Sequence, residues 1–345
     1  MTLAVEIEDL EKTFGNTVRA LDGISLGVES GTIFGLLGPN GAGKTTAVRI
    51  LTTVLRQDKG LARVLGHDTL REPHLVRTLI GLAGQFAAVD ENLTGAENLW
   101  MVGRLNHMSK ADVRARSKEL LKEFDLTDAA DRPTKTYSGG MRRRLDVAAS
   151  LVAKPKVLFL DEPTTGLDPA SRADVWDMIE QLVEAGTTVL LTTQYLEEAD
   201  RLCNKLVVID HGRVIAEGTP ESLKAQLGAT VLELGFADDD AARQAGAALG
   251  VMAGKEPIVY RNTVEVNVDD GPRIVAEALR ILDQNGPVLT TLALREPSLD
   301  DVFLALTGQR TDDDETADGA DGENGTGRRR GRRGRRGRSD RGGAQ

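Results

Sequence analysis

The stretch Thr32-Ile33-Phe34-Gly35-Leu36-Leu37-Gly38-Pro39-Asn40-Gly41-Ala42-Gly43-Lys44-Thr45-Thr46 decides the fold. Its first six residues form an apolar run of the length of a buried strand, and a glycine-rich turn then leads into a helical segment from Lys44 to about Leu55. Residues 38–45 match the spacing G-x-x-x-x-G-K-[ST] between that strand and that helix. In such a loop backbone N–H groups turn inward around phosphates, and the helix N-terminus adds a favourable dipole. Lys44 is placed to reach the β- and γ-phosphates of a nucleotide, and the Thr45 hydroxyl to ligate Mg²⁺. The binding candidates are therefore Gly38, Pro39, Asn40, Gly41, Ala42, Gly43, Lys44, Thr45 and Thr46.

Further along, Val157-Leu158-Phe159-Leu160-Asp161-Glu162 is an apolar strand that delivers two carboxylates at its end. Asp161 suits a Mg²⁺ site, and Glu162 is a candidate to orient and deprotonate an attacking water. Between the two elements, Tyr137-Ser138-Gly139-Gly140-Met141 opens a second helix. A serine and two glycines at a helix N-terminus make another anion cradle, which one nucleotide does not need unless it serves a neighbouring subunit. Ser138 also reads as an ordinary helix cap, which explains the serine and not both glycines.

Working outward, short β-rich runs at Leu3–Ile7, Ile24–Val28, Val157–Leu160, Thr187–Leu191 and Leu206–Asp210 alternate with helical stretches, and residues 70–150 read as mostly helical with breaks near 81–84 and 132–133. This pattern implies an α/β core of about 220 residues built on a largely parallel sheet. After Leu227 the order becomes βαββαβ, which suggests a small ferredoxin-like α+β unit followed by a short capped helix at Val302–Leu306. The expected organisation is 1–222 for the α/β part with a helical subdomain at about 86–150, 223–309 for the accessory unit, and 310–345 for a tail.

Apolar residues are 40%, charged residues 28% and aromatics only 3%, so the core must be mostly aliphatic. No window reaches the ~18 apolar residues of a spanning helix, and the acidic start does not resemble a signal peptide. One cysteine, Cys203, excludes an internal disulfide framework; it reads as a packing residue, as do Trp100 and Trp176. His67, His74, His107 and His211 are scattered without ligand spacing. The first 310 residues carry a net charge of −11, which argues against a general nucleic-acid binder. The tail has an acidic half and then an Arg/Gly-rich half, a composition that reads as disordered and solvated, with a contact to anionic lipid or RNA as the alternative.

Taken together these segments resemble an ABC-type ATPase subunit: a Walker A loop at 38–45, a Q-loop Gln85, the signature Tyr137–Met141, a Walker B strand at 157–162 and a D-loop at Gly166-Leu167-Asp168. The resemblance implies a P-loop ABC-type ATPase fold, ATP and Mg²⁺ as ligands, and two subunits, in a homodimer or heterodimer, that sandwich two ATPs. In that arrangement Ser138, Gly139, Gly140 and Asp168 would serve the partner's nucleotide, Gln85 would link Mg²⁺ and water to a transporter interface, and Phe14 would stack on adenine. A core position at a strand end is the other reading of Phe14. Gln194 stands where most such ATPases have a histidine at the γ-phosphate; an amide can donate a hydrogen bond there but cannot carry a proton at neutral pH.

A closer resemblance is to the ATP-binding subunits of actinobacterial daunorubicin/doxorubicin-resistance exporters, carried by Val102–Leu105, Lys135–Asp146, Thr192–Asp200, Asp210–Thr219 and Ser298–Gly308. It implies a transport-coupled ATP hydrolase at the cytoplasmic face of the membrane, working through a separate permease that docks near residues 86–107. Alternatives are an exporter motor for a lipid or other endogenous cargo, a soluble ABC ATPase outside transport, and a non-hydrolytic regulator.

Overall fold

The computed structural model describes residues 2–15, 17–84, 89–227, 230–250, 257–268, 271–285 and 287–307, all within the compact unit Met1–Thr311. Two of the sequence expectations, Gln85 and the tail at 310–345, lie outside the described residues.

The chain opens with an antiparallel sheet, which the sequence reading did not separate from the rest. Strands β1 (Leu3–Phe14) and β2 (Val18–Glu29) pair, and β4 (Lys59–Val64) and β5 (His67–Asp68) complete the order β2-β1-β4-β5. Its alternating apolar residues, among them Val5, Ile7, Ile24 and Val64, face the second sheet. That second sheet has the order β10-β9-β3-β8-β7-β6, with β3 at Ile33–Leu37, β6 at Ile80–Ala83, β7 at Val157–Asp161, β8 at Thr188–Thr193, β9 at Lys205–Asp210 and β10 at Arg213–Gly218. Five strands run parallel, and β10 returns antiparallel to β9.

Every residue of β3, β7 and β8 is buried, as expected of parallel strands covered on both faces. The alternation of β7 divides two cores: Val157 and Phe159 pack toward the antiparallel sheet with Phe34, Leu36 and Leu190, while Leu158 and Leu160 pack on the other face with Leu37, Val189 and Leu191. One helix, α1 (Lys44–Leu51), belongs to the first core and α2 (Pro73–Leu79) borders it. The second core is closed by α3 (Gly95–Leu105), α4 (Lys110–Glu123), α5 (Gly139–Ser150), α6 (Pro169–Glu184), α7 (Leu196–Leu202) and α8 (Pro220–Ala225).

The break expected near residues 81–84 is a strand, Ile80–Ala83, that pairs with β7. The helical subdomain proper begins at a capping box: Thr94 Oγ1 accepts from the Glu97 amide at 3.2 Å, and Glu97 accepts from the Thr94 amide at 2.8 Å. Helix α1 stops at Leu51 rather than Leu55, where Thr52 N–H and hydroxyl turn back to Val48.

Beyond α8 the order β11 (Thr230–Gly235), α9 (Asp239–Leu249), β12 (Ile258–Tyr260), β13 (Thr263–Val268), α10 (Gly271–Asn285), β14 (Thr291–Arg295) follows the βαββαβ pattern. The antiparallel sheet order β12-β13-β11-β14 is the ferredoxin-like arrangement. The last helix, α11 (Leu299–Thr307), does not belong to that unit's core. Leu299, Val302 and Phe303 pack instead into the second core of the α/β part with Leu196, Leu202 and Leu223.

Candidate functional site

The loop after β3 closes on itself at α1. Gly43 holds φ +112°, and a Cβ there would lie 2.4 Å from the Ala20 carbonyl oxygen, so only glycine fits. Lys44 follows with only 4% of its surface exposed; its ammonium donates to the carbonyls of Gly38 at 2.6 Å and Pro39 at 3.1 Å. Burial pushes its pKa below the ordinary lysine value, and the nearby Glu162 and Asp161 carboxylates only partly oppose that shift.

Asp161 ends β7 beside this loop. Its Oδ1 accepts from the Thr45 hydroxyl at 3.1 Å and from the Thr192 hydroxyl at 2.6 Å. Glu162 leaves the strand with φ +51°, a left-handed conformation that costs a non-glycine residue about 1 kcal/mol or more. Thr192 on the neighbouring strand holds that turn: the Glu162 amide donates to its hydroxyl at 3.0 Å and to its carbonyl at 3.1 Å. The Glu162 carboxylate then lies 3.7 Å from the Lys44 ammonium. Strand order thus gathers Lys44, Thr45, Asp161, Glu162 and Thr192 into one polar cluster at the carboxyl ends of β3, β7 and β8, where ligands of open α/β sheets bind. Gln194 lies half-buried just past the end of β8, two residues beyond Thr192.

A second cluster forms around the start of α5. Ser138 caps this helix, accepting from the Met141 amide at 3.2 Å. Gly140 is there for close approach: a Cβ on it would lie 2.7 Å from Ser171 Oγ and 3.0 Å from Ser171 Cβ. Ser171 in turn donates its hydroxyl to Asp168 at 2.6 Å and its amide at 3.2 Å, so Asp168 caps α6 and these bonds hold its carboxyl below the usual range. The Tyr137 hydroxyl, donating to the Ala129 carbonyl at 2.6 Å, ties the segment to the helical subdomain.

Phe14, at the tip of the β1–β2 hairpin, is 43% exposed, which excludes the core position considered for it; the Lys12 ammonium sits 5.8 Å from its ring centroid. Cys203 is buried as expected, packed so closely on Gly35 that a Cβ there would lie 2.6 Å from its sulfur. Three polar residues near the site escaped the sequence reading: Thr192, Arg143 and Glu198. Glu198 is buried on α7, which pushes its carboxyl up, and accepts from the Thr164 hydroxyl and the Trp176 ring N–H at 2.9 Å each.

Comparison with known proteins agrees with this geometry. Residues 21–165 match the family model described as ABC transporter, and residues 218–307 match the one described as the C-terminal domain of ATP-binding proteins DrrA1-3-like. The chain is 53% identical over 319 residues to the daunorubicin/doxorubicin resistance ATP-binding protein DrrA of Streptomyces peucetius, covering 91% of this chain and 96% of that one. It is 46% identical to the doxorubicin resistance ATP-binding protein DrrA of Mycobacterium tuberculosis (90% and 95% covered), and 40% identical to the Nod factor export ATP-binding protein I of Paraburkholderia xenovorans (90% and 99%). Among solved structures it resembles cbiO1 of Clostridium perfringens, part of the ABC transporter complex cbiONQ, with TM-score 0.61, 26% identity and 66% and 92% of the two chains covered. The ADP conformation of the ATP-binding cassette MJ1267 gives TM-score 0.59 and 27% identity, with 64% and 93% covered. Fold, polar cluster and sequence relatives therefore coincide, and the chain belongs to the family of ABC transporter ATP-binding proteins, the subunits that hydrolyse ATP to drive a transmembrane partner.

Proposed function

We propose that this chain powers drug efflux through a separate permease, as a peripheral subunit on the cytoplasmic face of the membrane. No helix among the described residues is long and apolar enough to cross a membrane. In this reading the permease supplies the pathway for cargo. The observation that carries the reading is the 53% identity to a daunorubicin/doxorubicin resistance protein over 91% of the chain, which extends through the C-terminal unit. A second cargo class is favoured by one finding: relatives named for Nod factor export match 90% of the chain at 40% identity, so the same architecture serves a different cargo.

In this reading the 38–46 loop holds the ATP phosphates, and the exposed Phe14 ring offers a face to adenine. Mg²⁺ fits the oxygen donors of Thr45 at the start of α1 and Asp161 at the end of β7, which stand 3.1 Å apart; Gln85 would complete the set. Held by these residues, the ion would supply neutralisation of the phosphate charge. Glu162 accepts the proton of the attacking water, and Gln194 donates a hydrogen bond toward the γ-phosphate. Ser138, Gly139, Gly140 and Asp168 form a cluster of their own around the start of α5, which suits a role on the ATP of a second ATPase subunit. ATP then joins two subunits and its hydrolysis separates them, a two-state element biased by ligand. The division into a nucleotide-binding part at 1–222, an accessory unit at 223–309 and a tail at 310–345 belongs to the same proposal.

The test is doxorubicin accumulation in cells that express the chain with its permease, compared with cells carrying Glu162→Gln. Lower accumulation only with the native chain supports drug efflux. Equal accumulation in both, with ATP hydrolysis intact in the native chain, removes the drug reading and leaves the transporter motor.

A further inference from the structure

Of the three consecutive arginines after the signature glycines, two pair at the surface and the middle one does not. Arg142 pairs with Glu91 at 2.8 Å and Arg144 with Asp125 at 3.6 Å, whereas Arg143 is only 7% exposed. Two of its nitrogens donate to main chain. Nε donates to the Pro163 carbonyl at 2.7 Å and Nη1 to the Gly84 carbonyl at 2.6 Å, with Asp146 Oδ2 3.3 Å from Nη1. Pro163 directly follows Glu162, and Gly84 directly follows β6 and precedes Gln85. One buried cation thus bridges the carboxyl ends of two adjacent parallel strands.

Burying a guanidinium is costly, and a core needing only stability does as well or better with apolar side chains of the same volume. The bonds made here coincide with the place where the backbone is strained. Glu162 sits at φ +51°, Thr192 fixes its amide, and the Pro163 carbonyl one residue on is fixed by Arg143. A residue on α5, whose first turn carries Ser138 and Gly140, therefore controls the peptide plane just after the carboxylate assigned to water activation. Thr164, bonded to the buried Glu198, fixes the next residue independently.

We propose that Arg143 is a positioning residue for hydrolysis: through the Pro163 and Gly84 carbonyls it holds Glu162 in its working orientation and makes that orientation depend on the placement of the signature helix. The proposal rests on the reading of Glu162 as the group that accepts the proton. It gives the helix that opens with Ser138, Gly139 and Gly140 a mechanical connection to the chain's own hydrolytic residue. A lysine cannot replace the arginine, since a single ammonium lacks the planar fork that spans two carbonyls and a carboxylate.

The experiment is single-turnover hydrolysis and nucleotide affinity on the full-length chain, as native protein, Arg143→Lys, Glu162→Gln and the double variant. Arg143→Lys is expected to slow hydrolysis by about tenfold or more, while Kd for Mg-ATP stays within about threefold. In the Glu162→Gln background the same replacement is expected to leave the residual rate unchanged, because a residue acting through Glu162 has nothing left to position. An undiminished rate in Arg143→Lys, or an equal fractional loss in both backgrounds, overturns the proposal while leaving Glu162 in its role. Full turnover in Glu162→Gln alone overturns the role of Glu162 and the proposal with it. Should the lysine variant unfold, Arg143→Met with Asp146→Leu replaces the buried pair by apolar side chains and is read in the same four-way comparison.

Discussion

The Lys44 ammonium lies 3.7 Å from the Glu162 carboxylate, in a site where both side chains are more than nine-tenths buried. Burial depresses the Lys44 pKa, and two carboxylates fail to restore it. Phosphate oxygens of ATP add negative charge beside the same ammonium and raise its pKa. The bound form therefore holds more protons than the free form in the alkaline window between the two values, and affinity for ATP falls as pH rises through that window. Calorimetry in buffers of different ionisation enthalpy is expected to show net proton uptake on binding at alkaline pH. Lys44→Ala is expected to weaken ATP binding by about two orders of magnitude, the worth of charge-assisted hydrogen bonds to phosphate. Unaltered affinity in that variant would remove the phosphate role of the 38–46 loop.

Thr192 offers a cleaner separation of binding from chemistry. Its hydroxyl donates to Asp161 at 2.6 Å and accepts from the Glu162 amide at 3.0 Å, so it steadies both carboxylate-bearing residues. Thr192→Val keeps the shape and removes both bonds. Hydrolysis is expected to slow by about tenfold with Kd for ATP little changed, and Thr192→Ser to recover most of the rate. A valine variant that turns over normally would show that the strand ends hold Asp161 and Glu162 without this hydroxyl.

The part played by Thr192 marks where sequence reading stopped. The phosphate loop was legible because its backbone turns and its chemistry lie within consecutive residues, and Asp161-Glu162 was legible because an apolar strand delivers them together. Thr192 is 31 positions from Asp161, and only the parallel register that sets Asp161 opposite Thr192 makes them neighbours. Arg143 was hidden differently: three adjacent arginines read alike, and the phase of α5 against β6 and β7 decides which one is buried. Strand β6 was missed because four residues, Ile80-Gly81-Leu82-Ala83, are too few to show a period. Leu299, Val302 and Phe303 read as part of the accessory unit by position, yet the apolar surface they cover belongs to α7 and α8.

Gly140 can be tested through its neighbour. A methyl on residue 140 meets Ser171 Cβ, which is fixed to the α6 backbone and cannot swing aside. Gly140→Ala is expected to destabilise the chain by about 1–3 kcal/mol, the usual cost of overpacking. Ser171→Gly removes the obstructing atoms, since the Ser171 Cα lies 4.0 Å from the added methyl. In thermal unfolding the double variant is expected to lose less stability than the two single losses added together. Simple additivity would show that the contact between the α5 and α6 starts relaxes without cost.

The accessory unit carries a charge network whose pH dependence can be worked out. Arg295 at the end of β14 donates to both Asp301 oxygens at 2.6 and 2.8 Å, to Glu233 at 3.1 Å and to Glu265 at 3.3 Å. Asp301 also accepts from the Ser298 amide at 2.7 Å and hydroxyl at 2.9 Å, which starts α11 and so places Phe303 in the α/β core. Burial alone would push the Asp301 carboxyl up, but the bonds from Arg295 and Ser298 outweigh it and hold the carboxyl below its ordinary value. A carboxylate depressed on folding contributes stability above its unfolded pKa and loses that contribution as pH falls through the folded one. In Arg295→Met the burial remains and the guanidinium is gone, so the Asp301 pKa rises and its penalty is full at neutral pH. The loss is expected to be about 1–3 kcal/mol there, less than for a fully buried pair because the Arg295 side chain is 32% exposed. Acidification toward the carboxylate range, about pH 4, removes stability from the native chain and relieves the variant, so the gap between them closes. Urea unfolding of both chains at pH 7 and at about pH 3.5 measures it; a gap that stays constant would mean that the network acts by packing and not by charge.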